Sequence, residues 1–159
     1  TRLFCYSFFD RQLIARGFDL RQGREFLSLK DVSVADLDVD VVQPATESMT
    51  GEDLLAHLRA TNRTEAYVVD PQGILIGVVP ILTALTNPDR AASSLIGEDY
   101  LVLNLGDDLQ QALGVARRFV GEAIPVVDAA GALVGCLSEG AILGGTLDRQ
   151  EEVKGRERN

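Results

Sequence analysis

A shift of 58 residues lays one stretch of this chain over another, and that internal repeat constrains the fold more than any other feature. The first copy runs Ala66-Tyr67-Val68-Val69-Asp70-Pro71-Gln72-Gly73-Ile74-Leu75-Ile76-Gly77-Val78-Val79. The second runs Ile124-Pro125-Val126-Val127-Asp128-Ala129-Ala130-Gly131-Ala132-Leu133-Val134-Gly135-Cys136-Leu137. Two valines, an aspartate, a glycine, a leucine and a second glycine coincide in register, and upstream the same shift pairs Leu55 with Leu113 and Arg59 with Arg117. One structural unit is therefore used twice.

Each unit reads the same way. Asp70 and Asp128 can close a turn through their side chains, and Gly73 and Gly131 supply positive φ three residues later, so each marks a hairpin between two apolar strands. Before the first hairpin, Thr50-Gly51-Glu52-Asp53 has the form of a capping box ahead of Leu54, Leu55 and Leu58. Before the second, Asp107 or Asp108 caps a helix with Leu109, Ala112, Leu113, Ala116 and Val120 at helical spacing. Short helices are expected after the hairpins, over 80–85 and over 138–143, with Pro80 in a first turn and Gly144-Gly145 ending the second. Short strands are expected to precede the units at 39–42 and 101–105. The order is β-α-β-β-α, twice, an α/β (α+β) fold.

A length of 159 residues suits one compact domain built from two such repeats, and 46% hydrophobic residues supply a core. The net charge of -9 disfavours nucleic acid as a partner. The charge is uneven. Residues 1–30 carry six basic and three acidic side chains, residues 31–148 five and eighteen, and residues 149–159 four and three. Six of the nine aromatics, Phe4, Tyr6, Phe8, Phe9, Phe18 and Phe26, fall in the basic opening segment. Cys5 and Cys136 show no metal or redox spacing, which fits a reducing compartment. The chain has neither a membrane-spanning apolar run nor a signal-peptide pattern, and it opens on Thr1 rather than Met, as a segment cut from a longer protein would.

The doubled pattern, carried most clearly by Ile124-Pro125-Val126-Val127-Asp128, Gly131 and Gly135-Cys136-Leu137-Ser138, resembles a CBS domain pair, or Bateman module. The resemblance covers residues 32–147 and implies two repeats packed sheet to sheet with pseudo-two-fold symmetry. The resulting division is a helical linker over 1–31, a first repeat over 32–90, a second over 91–147 and a tail over 148–159. Upstream, Asp10-Arg11-Gln12-Leu13-Ile14-Ala15-Arg16-Gly17-Phe18-Asp19-Leu20, continuing to Gly23-Arg24-Glu25, is similar to the segment that joins the last membrane helix to the CBS pair in bacterial CLC chloride channels and transporters. Ser48-Met49-Thr50-Gly51-Glu52-Asp53 is similar to the opening of the first CBS helix there. This second resemblance implies a regulatory and assembly module on the cytoplasmic face of the inner membrane. The module would be a homodimer, joined to a transmembrane CLC domain of the same chain, with Arg2, Arg11, Arg16, Arg21 and Arg24 just inside the bilayer. Two accounts of Phe4, Phe8 and Phe9 stand side by side: the end of a membrane helix, which is preferred, or a helix covering a soluble core.

Many CBS pairs bind adenine nucleotides between their repeats. The motif is Gly, two apolar residues, Ser or Thr, two variable residues, then Asp or Asn. The second repeat keeps Gly135 and Ser138 but has Ala141 in place of the acid, and the first has Pro80 and Thr83 in place of hydroxyl and acid. Arg63 and Thr64 stand where CLC relatives pack adenine. Arg63, Thr64, Gly135 and Ser138 are accordingly the candidate ligand-binding residues, and ATP, ADP or AMP the candidate cofactor. The incomplete motifs and acidic body favour a structural cleft without measurable ATP or AMP binding at millimolar ligand, with Ser138 an ordinary helix cap. The sequence offers no catalytic constellation. His57 has no nucleophile motif beside it, and Asp36, Asp38 and Asp40 alternate with apolar residues as on a solvated strand rather than as metal ligands. An enzyme is not expected. The alternative is a nucleotide-sensing CBS module of another transporter, or of an enzyme such as IMP dehydrogenase.

Overall fold

A computed structural model of the chain describes residues 29–97 and 99–157. The first repeat contains β1 (Ala45–Thr46), α1 (Gly51–Thr61), β2 (Glu65–Val69), β3 (Leu75–Pro80), α2 (Ile81–Thr86) and α3 (Ala92–Leu95). The second contains β4 (Leu103–Asn104), α4 (Leu109–Ala116), β5 (Ile124–Val127), β6 (Leu133–Leu137) and α5 (Glu139–Glu157). Each repeat forms a three-stranded sheet in chain order, the first two strands parallel and the last two antiparallel. The mixed α/β architecture matches the reading of the sequence.

Local chemistry sets the elements as expected. The Asp70 carboxylate accepts from the Gln72 and Ile74 N–H groups, both at 2.9 Å, and Asp128 accepts from Ala130 and Ala132 at 2.9 and 3.0 Å. Gly73 and Gly131 take φ of 83° and 85°, a region that costs a side-chain-bearing residue strain. The capping box at α1 closes with Asp53 N donating to Thr50 Oγ1 at 3.2 Å and Thr50 N to Asp53 at 2.9 Å. At α4 the cap is Asp108, which accepts from Gln111 N at 2.8 Å and donates its own N–H to Gln111 Oε1 at 2.9 Å.

The repeats meet about a pseudo-two-fold axis that the hydrogen bonds display directly. Leu75 N donates to Gly131 O and Leu133 N to Gly73 O, both at 3.1 Å, with Ile74 opposite Ala132 between them. Every partner in this seam is the other's equivalent under the 58-residue shift. Each repeat has its own apolar core, Leu54, Leu58, Val68 and Val79 in one and Leu103, Leu109, Leu113, Ile124 and Ile142 in the other. A third cluster, with Tyr67, Leu75, Val127 and Cys136, lies at the seam.

Several expectations are corrected. The strand before α1 is at Ala45–Thr46, not 39–42, because the earlier segment is used elsewhere: Asp40 exchanges both backbone hydrogen bonds with Cys136, at 3.0 and 2.9 Å, along the edge of β6. The helix of the second repeat ends at Ala116, leaving Val120 94% exposed. Gly144-Gly145 does not end the last helix, which continues to Glu157 through what was read as a tail. A Cβ on Gly145 would fall 2.4 Å from Leu37 Cδ2, so this glycine serves close packing rather than termination. Finally, residues 29–39 pack on the second repeat although they precede the first. Leu29 and Val34 are buried with Leu103 and Leu109, and Val34 N donates to Asp107 O at 2.8 Å. Asp36 lies in a 3-10 turn, not on a strand, and accepts from Ser33 N at 3.0 Å. The linker expected over 1–31 lies outside the described residues up to residue 28; Leu29–Asp31 form a 3-10 turn.

Candidate functional site

The repeat symmetry generates two equivalent clefts at the seam, and the sequence makes them unequal. The cleft that holds Arg63 and the β6 motif is filled by the chain's own side chains. Tyr67, 2% exposed, donates its hydroxyl to Ala123 O at 2.9 Å, tying β2 to the residue that leads into β5. The Arg63 guanidinium and the Tyr67 hydroxyl both interact with the buried Cys136 thiol. Burial pushes the pKa of Tyr67 well above its ordinary value, and it raises that of Cys136 against the opposing pull of Arg63, so both groups are neutral at physiological pH.

Arg63 and Thr64 converge on Glu122 of the other repeat. Thr64 donates to the Glu122 carboxylate through its N–H at 2.8 Å and its hydroxyl at 2.7 Å, and Arg63 Nη1 lies 3.8 Å from the second oxygen. Desolvation opposes the Glu122 charge, but the Thr64 bonds and Arg63 outweigh it and hold the carboxyl below its usual range. Glu65 is shifted the other way: burial raises its pKa, the neighbouring Glu122 charge adds to that, and the bond it accepts from Glu122 N at 3.2 Å offsets only part.

The remaining sequence-selected residues are positioned but not gathered into the same contacts. Gly135 lies in β6 where a Cβ would clash with Asp40 O at 2.3 Å, so the 39–40 segment can reach the strand edge only past a glycine. Ser138 Oγ accepts from Ala141 N at 3.2 Å, the capping role expected of it. His57 donates from Nε2 to Gln43 O at 3.1 Å, holding α1 to the loop before β1. Among the described residues, His, Cys, Asp and Glu form no group that could hold a metal ion.

The open cleft is the symmetric partner, which holds the incomplete motif of the first repeat. It encloses about 480 Å³ and is lined by Glu65, Pro80, Thr83, Asp99, Tyr100, Arg118, Phe119 and Val120 among others. Pro80 and Thr83 are the motif positions of the first repeat. The 58-residue shift shows why this side is empty: Arg63 becomes Gly121 and Tyr67 becomes Pro125, so the two side chains that fill one cleft have no counterpart in the other. A Cβ on Gly121 would meet the side-chain ends of Phe119, at 2.7 Å, and Glu65, at 2.8 Å, so a larger residue here would have to push both aside. Applying the repeat to Arg63 and Ser138 would have located this cleft from sequence. Chemically it combines aromatic and apolar walls with two carboxylates, one guanidinium and one threonine.

No protein-family model matches the chain, and no curated protein matches it in sequence. Solved structures do match its fold. A CBS domain pair/ACT domain protein from Thermotoga maritima aligns with a TM-score of 0.63 at 24% identity, over 74% of this chain and 98% of that one. CBSX2 in complex with AMP aligns with a TM-score of 0.61 at 24% identity, over 75% and 98%. The cytosolic domain of the Mg2+ channel MgtE in complex with ATP aligns at 0.64 and 22% identity, over 86% of this chain and 58% of that one. With the doubled register, the reciprocal seam and these likenesses in place, the chain has the fold of a CBS domain pair.

Proposed function

We propose that this chain is a regulatory and assembly module of a membrane transporter, specifically the cytosolic CBS pair of a CLC-type chloride channel or chloride/proton exchanger. The carrying observation is a CBS-pair fold, shared with the cytosolic domain of a membrane ion channel, in a chain whose first thirty residues are basic and aromatic. The similarity of residues 10–25 to the CLC linker favours chloride over magnesium transport. No helix among the described residues is long and apolar enough to cross a membrane. The module works by assembly and mechanical bias on its partner, through a two-state equilibrium of a homodimer, and not by catalysis. Leu82 and Leu85 on α2, 71% and 51% exposed, supply apolar surface for the dimer; the matching helix of the second repeat buries Ile142 and Leu143. Sedimentation of the chain at high protein concentration tests the assembly: a dimer is expected, and a persistent monomer contradicts it. The encoded sequence preceding Thr1 tests the parent, with a series of membrane-spanning helices expected.

The open cleft favours a second reading, an adenine-nucleotide sensor of another transporter or of an enzyme such as IMP dehydrogenase. Glu65 or Asp99 could take ribose hydroxyls, Arg118 a phosphate and Phe119 or Tyr100 a base face. Calorimetry with AMP and ATP separates the two readings.

A further inference from the structure

The last helix runs on past the second repeat, and the segment that leads into the fold lies against it. Arg149 of α5 stands 3.4 Å from Asp31 and 2.9 Å from Glu152. Between residues 32–38 and α5 lies a groove of about 540 Å³, which shares no lining residue with the open cleft. Val32, Leu37 and Ala141 give it apolar surface. Asp36 and Asp38 on one side and Asp148 and Glu152 on the other, all exposed, set four carboxylates against the single guanidinium of Arg149. Among the described residues, no three His, Cys, Asp or Glu gather closely enough to hold a metal ion, so this lining suits cations spaced along a polypeptide. The buried Arg149 Nε, without a hydrogen-bond partner among the described residues, points the same way, because a main chain brings carbonyl acceptors that a metal ion lacks.

We propose that this acidic groove docks the chain's own arginine-rich segment, residues 11–24. Those residues, which lie outside the described ones, carry Arg11, Arg16, Arg21 and Arg24 against one acid, Asp19, and so complement the groove in charge. They are also tethered beside it. Arg24 and Arg21 precede Leu29 by five and eight residues, and an extended chain spans about 3.3–3.6 Å per residue, so both reach a groove whose lining begins at Val32. An arginine lays its stem on apolar surface and keeps its guanidinium for carboxylates, which is what this lining offers. Docking fastens the incoming segment to α5, so that a pull on it loads the second repeat rather than the first. The inference does not depend on the identity of the parent transporter.

The test places a nitroxide on the whole chain at Gln12→Cys, with Cys5→Ser, and follows paramagnetic broadening of the Gly144 and Gly145 amides by NMR; Cys136 is buried and takes no label. Strong broadening at both glycines is expected at low salt. Arg16→Glu/Arg21→Glu/Arg24→Glu should reduce the docked population at least about fivefold, since three exposed ion pairs are lost together. Asp38→Lys/Asp148→Lys should do the same from the other side, and so should 1 M salt, where the screening length falls to about 3 Å. Absence of broadening at the two glycines overturns the proposal, as does broadening that survives the arginine reversal or the high salt. Should the aspartate variant fail to fold, the arginine variant decides alone, because its changes lie outside the described fold. Mixing spin-labelled chain with unlabelled, isotope-enriched chain tests the other occupant: broadening there means that the groove takes the segment of a second copy, and contradicts docking within one chain.

Discussion

Replacing Tyr67 by Phe isolates the contact that fills one cleft and ties the repeats together. The ring stays in place and only the hydroxyl that donates to Ala123 O at 2.9 Å is lost. A buried hydrogen bond contributes about 1 kcal/mol net, and a carbonyl left without its donor adds a desolvation cost of about 1 kcal/mol or more, so the change should destabilise by about 1–2 kcal/mol. For a domain of this size that lowers Tm by about 2–8 °C. Urea unfolding followed by circular dichroism should show a lower midpoint with an unchanged slope, since the surface exposed on unfolding is the same. Alkaline pH provides a second signature. Burial raises the Tyr67 pKa in the folded state, so its contribution is complete below the unfolded value of about 10 and is lost as pH rises above it. Wild type should therefore lose stability above that pH more steeply than Tyr67→Phe. A variant with the wild-type midpoint and the wild-type alkaline profile would refute the reasoning.

Three further substitutions probe separate parts of the structure. Gly135→Ala drives a Cβ to within 2.3 Å of Asp40 O and should detach the 39–40 segment from β6, costing about 1–3 kcal/mol of unfolding free energy. Gly114→Ala, on α4 with nothing within 4 Å, should instead stabilise by about 0.5–1 kcal/mol in the same urea assay. Glu65→Gln removes a charge whose pKa is raised by burial and by Glu122. The protonated form is the one the fold favours, so the cost of the ionised carboxylate is absent below the unfolded pKa of about 4.3 and develops as pH rises. The variant should be more stable than wild type at pH 7, with the advantage vanishing near pH 4; a pH-independent difference would contradict the assigned shift.

What was legible in the sequence was local or repeated. The turn aspartates, the positive-φ glycines and the two capping boxes depend on residues within four positions of each other, and the 58-residue register carried the symmetry. What was not legible was set by contacts distant in the chain. Residues 39–42 look like the strand preceding α1, but Val39 and Val42 face apolar clusters, Val41 is exposed and Asp40 pairs with β6, a partner nearly a hundred residues away. Gly144-Gly145 looks like a helix stop until Leu37 is placed against it. The candidate site divided in the same way. Arg63 and Thr64 stand out in the sequence as candidate ligand-binding residues, but their partner Glu122 lies in the other repeat, and the small Gly121 and Pro125 open the opposite cleft.

The central claim is that this CBS pair assembles and stabilises rather than senses adenine nucleotides, with one cleft filled by Arg63, Tyr67 and Cys136 and the other acidic. Isothermal calorimetry of the wild-type chain with AMP and ATP tests it most directly. No saturable heat is predicted even at millimolar ligand. Saturable heat in the micromolar range would contradict the claim and make the open cleft a nucleotide sensor.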